Sequence, residues 1–96
     1  MPEQAPKDKN ESPEIARKRL IFRSWHRGTR EIDLLLGRFA DVHVPDFNQS
    51  QLALYDKLLQ NNDPDLYNWV IGVEPPPDDE RSEVLDILIG FYKCKT

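Results

Sequence analysis

Residues 29–44, Thr29-Arg30-Glu31-Ile32-Asp33-Leu34-Leu35-Leu36-Gly37-Arg38-Phe39-Ala40-Asp41-Val42-His43-Val44, carry the clearest periodicity in the chain. Ile32, Leu35, Leu36 and Phe39 fall at i, i+3, i+4 and i+7, a single apolar stripe of an amphipathic helix. Thr29 stands where an N-cap belongs, and Glu31 then lies in the first turn, near the positive end of the macrodipole. The helix should stop before Pro45. The residue preceding a proline resists helical geometry, and Val42, His43 and Val44 are already poor helix formers.

Working outward, the residues before Thr29 predict a first helix from about Glu14 to Trp25. Pro13 suits its first position, Ser12 its N-cap, and Ile15, Phe22 and Trp25 repeat at helical spacing between arginines. Gly28 is placed to end it in a left-handed conformation. On the other side, Asp46 or Asn48 opens a third helix with Leu52, Tyr55, Leu58 and Leu59 inward, ending at Asn61-Asn62. Asp63-Pro64 reads as a cap followed by a helical proline, opening a short fourth helix with Leu66, Tyr67, Trp69, Val70 and Ile71, closed by Gly72. Pro75-Pro76-Pro77 form a stiff linker. A fifth helix starts at Asp78 or Asp79 and buries Val84, Leu85, Leu88, Phe91 and Tyr92; Gly90 within it marks close helix contact or fraying. No strand is convincing. The expectation is an all-α fold: a compact five-helix bundle in a single small domain over residues 14–94, with short connections and antiparallel neighbours. Residues 1–13 read as a disordered tail.

The chain has 96 residues and a net charge of −4, which suits one small core and argues against general nucleic-acid binding. The charge is uneven: Arg17, Lys18, Arg19, Arg23, Arg27 and Arg30 crowd residues 17–30, while acids dominate from Asp46 to Asp86. Such polarity suits docking to a partner of complementary sign, or else a solvated helix face. The single cysteine, Cys94, allows no internal disulfide and fits a reducing compartment. No apolar run is long enough to cross a bilayer, so no membrane insertion is expected. The first thirteen residues lack the hydrophobic region of a signal peptide and the arginines of a mitochondrial presequence; a bacterial-type cytoplasmic protein is expected.

Few constellations offer chemistry. His26 and His43 lack clustered partners, so no metal site is expected. Ser24 and His26 are too close on a helix to face each other, and no serine elbow or phosphate-binding glycine loop is present. Asp63 and Asp65 are accounted for by capping and charging a helix N-terminus. The first two helices mimic a helix-turn-helix, but Glu31, Asp33 and Asp41 on the second would be repelled by phosphate. What remains is the corner Arg27-Gly28-Thr29-Arg30-Glu31. Arg27 offers a planar fork for a carboxylate, Glu31 the opposite charge one turn away, and Gly28 lets another backbone approach. At this point two readings stand side by side: a dual-charge docking surface, or an Arg27–Glu31 ion pair bracing the turn by about 0.3–0.5 kcal/mol.

Arg27-Gly28-x-x-Glu31, preceded by Arg19-Leu20-Ile21-Phe22-Arg23 and followed by Asp63-Pro64-Asp65-Leu66-Tyr67-Asn68-Trp69, resembles the succinate dehydrogenase assembly factor 2 family, the SdhE-type flavinylation factors. The resemblance covers roughly residues 15–92. It implies a small five-helix fold and a non-catalytic assembly factor. That factor would bind the flavoprotein subunit of succinate dehydrogenase, or its fumarate reductase relative, and promote covalent attachment of FAD. It implies partner contacts at Arg27, Gly28 and Glu31, supported by Arg19 and Arg23, with Asp65 carried over more cautiously and Trp69 open to a core role. FAD would belong to the client, with no cofactor held stably by this chain, which would be a monomer when free. The alternative is a small helical regulatory or nucleic-acid-binding protein using the basic first helix.

Overall fold

The computed structural model describes residues 11–93 of the chain. Among them are five α-helices: α1 Pro13–Trp25, α2 Arg30–His43, α3 Gln49–Leu58, α4 Asp63–Ile71 and α5 Glu83–Lys93, with 3-10 turns at Val44–Asp46 and Asp78–Glu80. The all-α five-helix expectation holds. Of the segment expected to be a tail, residues 1–10 lie outside the described residues, as does Cys94. Glu11 pairs with Arg19, Ser12 caps α1 through the Ile15 amide, and Pro13 begins the helix.

Helix boundaries follow local chemistry. Thr29 caps α2 at the Ile32 amide, and Asn48 with Gln51 closes a reciprocal capping box on α3. Gly72 ends α4 at φ 88°, the left-handed position that a side chain would resist. The cap of α4 is Asn62, not Asp63: its side chain accepts the Asp65 amide. Asp63 therefore enters the first turn with its carboxylate free for other work. Helix α5 begins at Glu83, later than expected, because Asp78–Glu80 form a separate turn and Ser82 supplies the cap, accepting the Leu85 amide at 3.2 Å. Gly90 has open space around it, so the expected close helix contact is absent there.

The core forms where the helices converge. From α2 come Ile32, Leu36, Phe39 and Ala40; from α3, Leu52, Tyr55, Leu58 and the adjoining Leu59; from α4, Leu66, Trp69 and Val70; from α5, Val84, Leu85 and Leu88. Helix α1 departs from expectation. Ile15 and Phe22 are 58% and 63% exposed, and the buried face is Ala16, Leu20 and Ser24. A serine can occupy a core position here because it is saturated. The Ser24 hydroxyl donates to the Leu20 carbonyl at 2.8 Å, leaving the buried Tyr55 hydroxyl to donate to Ser24 at 2.6 Å. Burial pushes the Tyr55 phenol well above its usual range. Trp25 lies against α2, its indole donating to Asp41 at 3.1 Å. Gly37 makes this possible: a Cβ there would stand 2.2 Å from the indole ring.

Candidate docking surface

The turn between α1 and α2, His26 to Thr29, is pinned from three sides. The Arg27 amide donates to Asp33 at 2.6 Å. The Arg27 side chain crosses to the α3–α4 connection: Nε donates to Asp63 Oδ1 at 2.9 Å, and the terminal nitrogens donate to the carbonyls of Leu59 at 2.9 Å and Asn61 at 3.0 Å. The other Asp63 oxygen accepts the Gly28 amide at 2.9 Å. The Leu59 carbonyl belongs to the C-cap of α3, where carbonyls lack internal partners and a positive charge is favoured, and that of Asn61 to the connection beyond it. One guanidinium thus closes one helix, holds the entry to the next, and orders the turn between two others.

This geometry corrects the picture of a free fork at Arg27. Its side chain is 10% exposed and its partner Asp63 24%. Nor does an Arg27–Glu31 ion pair exist: the Asp63 carboxylate, backed by the Leu59 and Asn61 carbonyls, outcompetes one exposed carboxylate a turn away. Gly28 is not left-handed either; among the described residues only Gly72 has positive φ. Gly28 instead leaves room for the carboxylate that holds the turn. A Cβ there would stand 2.9 Å from the Asp63 oxygen that its amide contacts.

The other candidates divide clearly. Gly28 and Glu31 are exposed, and the Glu31 side chain makes no hydrogen bond or ion pair among the described residues. Arg23 is exposed and lines a shallow depression with His26, Arg27, Gly28 and Asp63. Glu31 lines a neighbouring depression with Thr29, Ile32, Asp63, Pro64 and Tyr67. The two share Asp63, so Arg23, Gly28 and Glu31 belong to one continuous surface. Arg19 does not. It pairs with Glu11 at 2.7 Å and Asp56 at 3.1 Å in the groove between α1 and α3. Hydrogen bonding to Glu11, opposed by partial burial and reinforced by Asp56, raises its pKa further. Asp65 is half-buried beside the Asn62 cap and lines neither depression. Trp69 is core.

Two residues central to the site, Asp33 and Asp63, stood outside the sequence-derived set. Asn62 was the available signal for Asp63, since a good cap one position earlier releases the aspartate. No local signal marks Asp33. The basic stretch is also less available to phosphate than its composition suggests: Arg17 donates to the Phe47 carbonyl at 2.9 Å, and Arg19 and Arg27 are engaged as described. Among the described residues no group of His, Cys, Asp and Glu could hold a metal ion, and no helix is long and apolar enough to cross a membrane.

Comparison with known proteins points to one family. A family model described as "Flavinator of succinate dehydrogenase" matches residues 18–92. The chain is 41% identical over 88 residues to the mitochondrial succinate dehydrogenase assembly factor 2 of Dictyostelium discoideum, covering 90% of this chain and 61% of that protein. It is 39% identical over 90 residues to assembly factor 2-A of Drosophila willistoni, covering 92% and 57%. It is 41% identical over 85 residues to assembly factor 2-B of Drosophila mojavensis, covering 86% and 54%. The chain therefore spans little more than half the length of these relatives. All three are named mitochondrial, which overturns the expectation of a bacterial-type cytoplasmic protein. That expectation rested on the composition of the first thirteen residues, whereas the family model matches residues 18–92. By the extent of these matches, the chain belongs to the succinate dehydrogenase flavinator family, the assembly factor 2 proteins.

Proposed function

We propose that the chain binds the flavoprotein subunit of succinate dehydrogenase, or of its fumarate reductase relative, in the mitochondrial setting its relatives' names indicate. There it promotes covalent attachment of FAD. It acts as a monomer and contributes no reacting group; FAD is held by the client. One observation carries the reading within this family. Arg27, Asp63 and Asp33 spend their polar atoms building a turn whose outer face is Gly28 and Glu31, both exposed, with the Glu31 carboxylate unpartnered among the described residues.

A helper of this kind works by selection. Flavinylation needs a client histidine held against the flavin 8α carbon in a site that stabilises developing flavin charge. Binding the client conformer in which these groups are aligned raises its population and so the rate. Glu31 supplies a charge-assisted contact, Gly28 the close approach and Arg23 a nearby cation. Arg27 acts from within, as the brace that places the other residues. The test is co-expression of the flavoprotein with and without the chain, followed by flavin fluorescence on a denaturing gel. Fluorescence on the flavoprotein band should rise with the chain present; equal fluorescence in both lanes refutes the proposal.

A further inference from the structure

We infer that the depression between the N-terminal turns of α2 and α4 receives an arginine side chain of the client flavoprotein, clamped between Glu31 and the ring of Tyr67. The inference rests on the docking role proposed above and names what that surface holds.

The depression has two kinds of wall. Pro64, Ile32 and the half-buried Tyr67 ring are apolar, while Glu31 and Asp63 stand at its rim. Asp63 is already neutralised by Arg27. Glu31 therefore supplies the carboxylate without an ion-pair partner among the described residues, and the Tyr67 hydroxyl likewise makes no hydrogen bond there. The positive ends of α2 and α4 border the same space, but Glu31 and Asp63 lie in those first turns and offset them. An apolar slot with one free carboxylate and an aromatic face selects a cation that tolerates stacking. A guanidinium does: it is planar, weakly hydrated, forks onto carboxylates and lies on aromatic rings. A lysine ammonium is a strongly hydrated point charge and gains little from the apolar walls. Arg30, adjacent to Glu31 on α2, points elsewhere, since neighbouring helix positions do not face each other.

The experiment uses the full chain and the FAD-free flavoprotein subunit, with affinity measured at several salt concentrations. Wild type should bind. Glu31→Gln should weaken binding about tenfold, the loss of one charge-assisted contact, and flatten the salt dependence. Tyr67→Leu should weaken it about fivefold, a cation–π contribution, with the salt slope unchanged. Both variants should unfold within a few degrees of wild type. In parallel, an arginine-selective dicarbonyl applied to the flavoprotein should find one arginine protected by wild type and unprotected with Glu31→Gln. Wild-type affinity in Tyr67→Leu overturns the inference while leaving the docking role intact. So does protection of a lysine against acetylation with no arginine protected. Failure of wild type to bind the flavoprotein at all removes both.

Discussion

Replacing Asp63 with alanine tests the architecture of the corner. The substitution removes two hydrogen bonds, Arg27 Nε to Oδ1 and the Gly28 amide to Oδ2, both 2.9 Å. A hydrogen bond involving a charged group contributes about 1.5–3 kcal/mol when desolvated. Asp63 is 24% exposed, so water recovers part of the first bond, which we place at about 1.5 kcal/mol. The Gly28 amide is exposed and rehydrates, leaving about 0.5 kcal/mol. The expected loss is therefore about 2 kcal/mol, equivalent to roughly 10 °C in Tm for a domain this small. Urea unfolding followed by the fluorescence of Trp25 and Trp69 measures it. Arg27→Ala should cost more, about 3 kcal/mol, because it also strands the Leu59 and Asn61 carbonyls. The double variant should fall short of the sum by about 1 kcal/mol, since the two share a bond. If Asp63→Ala unfolds within about 0.5 kcal/mol of wild type, or if the two losses add, the Arg27–Asp63 brace is not what holds the turn.

Further expectations concern other parts of the molecule. Gly37→Ala should lower stability by about 1–3 kcal/mol and red-shift the emission of Trp25, because the new methyl meets the indole ring; an unshifted spectrum at wild-type stability contradicts that packing. Tyr55 and Tyr92 are both raised above the phenol value of 10.0 by burial. The unfolded chain therefore loses these protons first, so stability should be full below about pH 10 and fall above it. Tyr55→Phe should flatten that alkaline decline, and an unchanged slope in denaturation midpoints above pH 10 counts against the burial argument. Gly28→Arg should abolish client binding in a pull-down while leaving the helical circular dichroism nearly intact, because the side chain enters at an exposed turn against Asp63.

The sequence was most informative where the chemistry is local. Thr29 as a cap, the stripe Ile32, Leu35, Leu36 and Phe39, and Gly72 as a terminator each depend on a few adjacent residues, and each stands as expected except that Leu35 is only half-buried. It was least informative where a distant partner decides. Helix α1 looked like a stripe of Ile15, Phe22 and Trp25. Ser24 is buried instead, because Tyr55, 31 positions away, shares its hydroxyl hydrogen bond. The partners of Arg27 were hidden for the same reason. Arg27 and Glu31 are one helical turn apart, so a local pair stood beside the docking reading. The actual partners of Arg27 arrive from 32 to 36 positions along the chain. Glu31 and Gly28 were legible as surface residues; the Asp63 hub that presents them was hidden behind a capping role that Asn62 in fact performs.

Reconstitution from purified parts puts the functional reading to the most direct trial. The FAD-free flavoprotein subunit is mixed with FAD, with and without an equimolar amount of this chain, and acid-precipitable flavin is followed over time. Covalent flavin should accumulate several-fold faster with wild type, and at the unassisted rate with Gly28→Arg. An identical time course in the presence and absence of wild type would mean that this surface, however well built, does not serve flavin attachment.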